Sequence, residues 1–373
     1  MTRVQVVDPS AFTRPYDHAL CTALGRTGAT VELVTSRFAY GEVPPADGYT
    51  VRELFYRHAA GAPGSRLRRL SKLADHVPDM LRFRRLAADA DVVHLQWLTM
   101  PPLDVHLLPD RPLVLTAHDL LPREPRPGQL RAQRRVFDQM DGIVVHSEYG
   151  RRQLVERLGV AADKVHVIHH GAFDHVAAEP RAPLPAEVGS GTDGEAVVLF
   201  TGLLRPYKGL DTLLRAWRHV AGVGGAQLWI AGRPMMPLES LRATSPPGVR
   251  WVPRFVTEGE IAALLERADI VVLPYSRTER FDQSGVLASA LAFGKPAVVT
   301  DIGGFSEIAA TGAARLVAPD DPEALGAALA ELTGDAAARK RMAAAARAAA
   351  QGPYSWERSA HQTVALYERV RRR

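Results

Sequence analysis

The chain has 373 residues, 46% of them hydrophobic and 23% charged, enough apolar side chain for a large core and enough length to predict two domains. A disordered tail and a small cross-linked scaffold are excluded. Cys21 is the only cysteine, which excludes an internal disulfide and a cysteine-based zinc cluster and fits a reducing compartment. Val4–Val7 follow Met1 almost at once, so no basic-then-apolar leader is visible. No run approaches the ~18 consecutive apolar residues of a membrane span, and the expectation is a soluble, cytoplasmic enzyme.

The 46 Lys+Arg exceed the 41 Asp+Glu, giving a net charge of +5 and a pI near 9.5. Only five of those cations are lysines, Lys72, Lys164, Lys208, Lys295 and Lys340, which leaves 41 arginines. Arginine is therefore the default surface cation, and a lysine is the less expected choice wherever it stands. The modest excess charge suits an anionic small molecule, a membrane surface or nucleic acid equally.

Apolar runs at Arg3–Asp8, Val31–Ser36, Val92–Trp97, Leu113–Asp119, Gly142–Ser147 and Val165–Gly171 alternate with helical stretches. They are continuous rather than alternating, which predicts strands buried on both faces and hence a parallel sheet. The Pro- and Gly-rich residues 181–195 predict a linker between a first domain at 1–180 and a second at 196–354. The alternation restarts with Ala196–Gly202, a helix from about Gly209, then Ala226–Gly232, Val249–Phe255, Asp269–Ser276, Pro296–Gly304 and Ala314–Pro319. Two doubly wound, Rossmann-like α/β domains facing a cleft are predicted, with a terminal helix at 355–373 whose Trp356, Leu366 and Tyr367 pack back on the first domain.

Ligands of open α/β sheets bind beyond the carboxyl ends of the strands. That singles out Asp8, Trp97, His118, Asp119, Ser147, His169, His170, Gly202, Gly232, Tyr275 and Asp301. The loop Gly202–Gly209 carries Arg205 and Lys208 into a helix, a pattern suited to a diphosphate because guanidinium, ammonium and free helix amides all bind phosphate oxygens. Exposed loop charges beside a turn glycine would look the same in isolation. A second segment, Asp282-Gln283-Ser284-Gly285-Val286 through Ser289 to Gly294-Lys295-Pro296, opens a helix whose N-terminal amides suit an anion. An ordinary capped core helix is the alternative.

With these residues in view, the chain resembles a retaining GT-B glycosyltransferase of family 4. The resemblance rests on Gly-x-x-Arg-x-x-Lys-Gly at 202–209, Asp-Ile-Val-Val-Leu-Pro-Tyr at 269–275, Gly294-Lys295-Pro296, Thr300-Asp301-x-Gly-Gly-x-x-Glu307 and Ser355-Trp356-Glu357. In the first half Leu115-Thr116-Ala117-His118-Asp119 and Val165–Gly171 stand in similar places. The resemblance implies a nucleotide-diphosphate-sugar donor held by the second domain, with no cofactor and no metal. It gives Arg205, Lys208 and His118 catalytic roles, and Gly202, Asp282, Gln283, Ser284, Gly285, Val286, Ser289 and Glu307 donor contacts.

The chain departs from the family where two glutamates are usual, for Phe281 and Ser289 occupy those positions. Ribose recognition would then be weaker, use Ser289 or be supplied elsewhere, and Asp282 or Gln283 would stand in for the other. No carboxylate is placed as a nucleophile, so the resemblance implies same-face substitution assisted by the leaving phosphate, with Arg205 and Lys208 stabilising the departing charge.

On the acceptor side Tyr16, Asp17, His18 and Asp119 are the candidates, although Asp17 also suits a helix N-terminus. The basic and apolar run Arg66–Leu73 with Arg82–Leu86 suits either a solvated helix face or peripheral contact with an anionic membrane. The partners expected are a donor and a small-molecule, glycan or glycolipid acceptor. A GT-B enzyme of altered chemistry, such as a sugar-nucleotide epimerase or a coupling enzyme for non-sugar rings, is the alternative. A nucleic-acid-binding module is more remote, since no recognised motif is present, and neither domain opens with the Gly-x-Gly-x-x-Gly of a dehydrogenase.

Overall fold

The computed structural model describes every residue except 39–43, 63–64, 122–127, 179, 190–193, 221–224, 279–281 and 373, so the expectation at Phe281 lies outside the described residues. The chain divides into two compact units. The first comprises Met1–His169, Trp356–Arg373 and Asp282; the second comprises His170–Glu279 and Gln283–Ser355.

The first unit is built on seven strands: β1 (Arg3–Asp8), β2 (Thr30–Ser36), β3 (Thr50–Phe55), β4 (Val92–Leu95), β5 (Leu113–Thr116), β6 (Gly142–Val145) and β7 (Val165–Val167). They form one parallel sheet in the order β3-β2-β1-β4-β5-β6-β7. Its helices are α1 (Arg14–Arg26), α2 (Arg66–Leu86), α3 (Pro101–Asp104), α4 (Gln129–Gln139) and α5 (Glu148–Arg152). The central strands are buried on both faces, as continuous runs such as Val-Val-His-Leu of β4 require. Strand β3 was not among the expected elements. It is an edge strand whose residues from Thr50 to Glu53 are exposed, so it lacks the apolar run that marks the others.

The second unit carries β8 (Ala196–Thr201), β9 (Ala226–Ala231), β10 (Val249–Val252), β11 (Ile270–Leu273), β12 (Ala297–Thr300) and β13 (Ala314–Val317). All are parallel, in the order β10-β9-β8-β11-β12-β13. Around them lie α6 (Asp174–Ala178), α7 (Leu210–Val220), α8 (Glu239–Ala243), α9 (Glu258–Arg267), α10 (Gly285–Ala292), α11 (Phe305–Ala309), α12 (Pro322–Gly334) and α13 (Ala336–Gln351). Leu210, Leu213, Leu214, Trp217 and Val220 repeat at helical spacing along α7 and share a core with Leu325, Leu329 and Leu332 of α12. Most expected strands overran their carboxyl ends, where the sheet pairing stops before residues such as Gln96, His118, His146 and Asp301.

The last helix, α14 (Trp356–Val370), belongs to the first unit and packs on α1. Its Leu366 occupies the space a side chain at Gly142 would need, 3.0 Å from the Cβ position. Tyr367 Oη lies 2.6 Å from His94 Nδ1, and His94 Nε2 lies 2.8 Å from Thr116 Oγ1. Both ring nitrogens of His94 are thus satisfied at the centre of the sheet, and burial pushes its pKa down to about 3.

That shift has a definite sign. The unfolded imidazole takes a proton near pH 6.5, the folded one only near 3, so the unfolded state binds more protons between them and stability is lost as pH falls below 6.5. Urea titrations at pH 7 and pH 5 should show the native chain losing about 2 kcal/mol more than His94→Gln over that interval. Equal losses would show that His94 titrates normally in the fold.

Candidate functional site

In the second unit β8 ends at Thr201, and Gly202 turns the chain with φ 109° into a loop closed by a 3-10 turn at Pro206–Lys208. Two glycines make the turn possible by removing side chains. A Cβ at Gly232, after β9, would lie 1.8 Å from the Gly202 carbonyl oxygen, and one at Gly209 would lie 1.9 Å from that of Pro274. Both glycines have positive φ, 149° and 68°.

The loop brings two cations inward. Lys208 is buried and its ammonium donates to Tyr275 Oη at 2.7 Å, while Tyr275 lies 3.2 Å from Ser284 Oγ at the start of α10. Burial pushes the Tyr275 phenol pKa up and keeps it neutral. A Cβ built on Gly202 would meet Lys208 Nζ at 3.2 Å and Val286 Cγ2 at 3.3 Å, so Gly202, Lys208 and Val286 converge on one spot. Arg205 is half-buried, and its Nε is closed off from solvent with no hydrogen-bond partner. Thr201 Oγ1 and Gln283 Nε2 are in the same condition. A buried donor without an acceptor is destabilising by about 1–3 kcal/mol, so each of these groups suits a bound partner.

The other donor candidates are placed differently. Ser289 Oγ donates to the Gly285 carbonyl at 3.0 Å and so bonds along its own helix. Glu307, on α11, sits close enough to Tyr354 to raise that phenol's pKa alongside burial. Asp282 is fully buried within the first unit, where it accepts the His146 amide at 2.6 Å and the Ser147 hydroxyl. Ser147 in turn caps α5 through Gly150 N at 2.9 Å. A Cβ at Gly150 would stand 2.9 Å from the Asp282 carboxylate, so the carboxyl fills the space that glycine leaves.

In the first unit His118 follows β5 and is half-exposed. Its Nε2 lies 3.0 Å from Gln96 Oε1, and its ring stacks on Trp97 at 5.3 Å with an interplanar angle of 16°. Tyr16 of α1 meets the same ring edge-on at 4.7 Å. Beside them is a cavity of about 260 Å³ whose walls include Trp97, Thr99, Thr116, His118, Asp119 and Gln133. Gln96 Nε2 is buried there without a partner.

The remaining acceptor candidates are interior. Asp17 is fully buried against Asp8, and burial together with that neighbour holds its carboxyl pKa well above the usual range. His18 is buried with its Nδ1 2.9 Å from Tyr49 Oη. Motif reading overlooked Gln96 and Thr201 and gave Tyr275 no role. Tyr275 was visible as a strand-end residue, but nothing in the sequence showed that it faces Lys208.

The chain is similar to known proteins. Residues 16–172 match the family model described as Glycosyltransferase Family 4, and residues 195–335 match that described as Glycosyl transferases group 1. The D-inositol 3-phosphate glycosyltransferase of Kineococcus radiotolerans is 29% identical over 396 aligned positions, covering 94% of this chain and 88% of that one. The glycogen synthase of Mycobacterium tuberculosis is 28% identical over 326 positions, covering 78% and 73%. Among solved structures, the sucrose-phosphate synthase of Thermosynechococcus elongatus superposes with a TM-score of 0.76 at 19% identity over 99% of both chains. HepE of Anabaena in complex with UDP-glucose gives 0.70 at 17%, over 99% and 98%. Both structures share the fold.

The geometry of Asp282 makes a prediction of its own. Asp282→Ala should destabilise the chain by about 2–3 kcal/mol, read as a lower urea midpoint, because two buried donors lose their acceptor. An unchanged midpoint would assign the carboxylate to ligand binding instead of anchoring.

Proposed function

The chain belongs to the group 1 and family 4 glycosyltransferases and has their GT-B architecture, and on that premise we propose that it moves a sugar from a nucleotide-diphosphate donor to a hydroxyl acceptor, with retention of configuration and without a divalent metal. One observation carries the donor reading: the partnerless Arg205 Nε beside buried Lys208, on a loop at the carboxyl end of β8. A diphosphate supplies the acceptor oxygens that Arg205 lacks.

In this reading the second unit holds the donor. Arg205 forks onto the diphosphate, and Lys208, oriented by Tyr275, neutralises charge as the sugar–oxygen bond breaks. Gly202 leaves room for the phosphate, while Ser284, Gly285 and Val286 at the start of α10 line the same spot and Gln283 offers its unpaired amide. Glu307, on α11, is retained on resemblance as a donor contact, and Ser289 as a ribose contact that would have to release its helix bond. His118 and its cavity serve the acceptor, with Asp119 in the wall. Asp282, engaged with His146 and Ser147, is withdrawn from the nucleophile's role, which supports same-face substitution assisted by the leaving phosphate.

Peripheral membrane contact is part of the proposal. Helix α2 exposes Leu67 (59%), Leu70 (65%), Leu73 (52%) and Leu81 (43%) among exposed arginines that include Arg66, Arg69, Arg84 and Arg85. An apolar strip flanked by cations suits an anionic bilayer surface. Among the described residues no helix is long and apolar enough to cross a membrane.

A thermal-shift screen of UDP, GDP, TDP and ADP sugars, with and without EDTA, tests the donor reading. One donor should raise the melting temperature and do so equally in EDTA; no shift with any donor would overturn it. Lys208→Ala should lower turnover at saturating donor by about 10²- to 10³-fold, and near-native turnover would remove Lys208 from the chemistry. Flotation with phosphatidylglycerol vesicles should carry the native chain but not Leu70→Glu, whereas a face that instead joins two copies would appear as a Leu70-dependent dimer.

A further inference from the structure

One buried side chain of the first unit serves a single neighbour. Gln96 follows β4, its backbone amide donates to the Val7 carbonyl at 2.8 Å, and the residue is only 1% exposed. Among the described residues its side chain makes one hydrogen bond, from His118 Nε2 to Oε1 at 3.0 Å, while its own Nε2 is buried without an acceptor. A leucine at this strand end would fill the same space and leave no buried donor unpaired. The amide is therefore kept at a cost to the fold, and the one group it serves is His118.

Aromatic side chains hold His118 from three further sides. Trp97 covers one face of the ring, and is itself fixed by its Nε1 donating to Thr13 Oγ1 at 3.0 Å and by the edge of Phe12 at 5.7 Å. Tyr16 meets the ring edge-on, its phenol hydrogen-bonded to Thr116. His146 lies 5.5 Å away at a tilt of 52°. These contacts determine where the ring lies but not which nitrogen bears the proton, because the two neutral forms of imidazole have the same shape. The Gln96 oxygen does determine it. A carbonyl oxygen only accepts, so the nitrogen facing it is N–H, and in the neutral ring the lone pair then stands on Nδ1.

We propose that Gln96 is a positioning residue for the transfer reaction, holding His118 as the Nε2–H tautomer in one ring orientation beside the cavity that serves the acceptor. The part played in transfer rests on the glycosyltransferase reading; the tautomer does not. Gln96 acts on a substrate only through the histidine, for its unpaired nitrogen is closed to solvent and so to a ligand. Without its oxygen the proton can move to Nδ1 and the ring can turn over on Trp97, since neither change alters the stacked shape. Donor and acceptor nitrogens then exchange places, and only a fraction of the molecules meets the substrate with the right one.

Long-range proton–nitrogen NMR spectra of the histidine-labelled chain test this, with His118 identified by the signals lost in His118→Phe. Native His118 should carry its proton on Nε2, and a proton on Nδ1 would overturn the proposal. In Gln96→Leu the two nitrogens should become mixed, whereas Gln96→Glu, which keeps an acceptor oxygen in place, should restore the Nε2–H form. The urea midpoint of Gln96→Leu should stand at or above the native one, since a buried donor without a partner has been removed. With the nucleotide sugar that raises the melting temperature most, release of nucleoside diphosphate by Gln96→Leu should fall about 10- to 100-fold in kcat at a nearly native KM for the donor. A native tautomer in Gln96→Leu, or native turnover with a mixed one, would overturn the positioning role. If Gln96→Leu fails to fold, the native and Gln96→Glu spectra decide. If no nucleotide sugar binds at all, the donor reading fails, and the spectra still decide whether Gln96 sets the tautomer.

Discussion

The contact on which the second unit depends is one of backbone against backbone. The Gly202 carbonyl sits where a side chain at Gly232 would be, and the Pro274 carbonyl where one at Gly209 would be. Three strand ends, those of β8, β9 and β11, are thereby drawn to a separation that only hydrogen at Cα allows. Any larger residue would push the loop outward, carrying Arg205 and Lys208 with it. The cations are therefore positioned by what the glycines omit, while Tyr275 and Ser284 set the final direction of the ammonium.

The first unit solves a different problem, the accommodation of many polar side chains inside a parallel sheet. Asp8, Asp17, His18, His76, His94 and Asp104 are all buried there. Each meets another side chain instead of solvent, and the pattern is pairing of unlike groups: histidine with tyrosine, histidine with carboxyl, carboxyl with backbone amide. Asp8 and Asp17 are the exception, two acids side by side, and both pKa values move upward so that one proton can be shared between them. Such networks confer a single arrangement at the expense of tolerance to substitution.

Elements with a strong period were legible in the sequence. The buried strands betrayed themselves by unbroken Val, Ile and Leu, and the Gly202–Gly209 loop by an arginine and a lysine at fixed spacing from two glycines. Edge strand β3 was not, because Thr50-Val-Arg-Glu carries the composition of a loop and becomes a strand only through its pairing with β2. Asp282 read as part of a ligand-binding helix start, since nothing in the local sequence records that His146 and Ser147, more than 130 positions earlier, need an acceptor. Side-chain chemistry assembled from a single loop leaves a motif; chemistry assembled across a sheet leaves none.

The helix α14 lies at the far end of the chain from the sheet it completes. His94, itself paired with Thr116, meets Tyr367, and Gly142 meets Leu366, so those strands keep an open flank until α14 is made. On a ribosome adding about 5–20 residues per second, the second unit's length separates the two parts by roughly 10–40 s. During that interval the first sheet exists with a buried histidine and a glycine still exposed to water, whereas the second unit, contiguous apart from Asp282, can close as soon as it emerges. The order of completion in the cell is therefore the reverse of the order of synthesis.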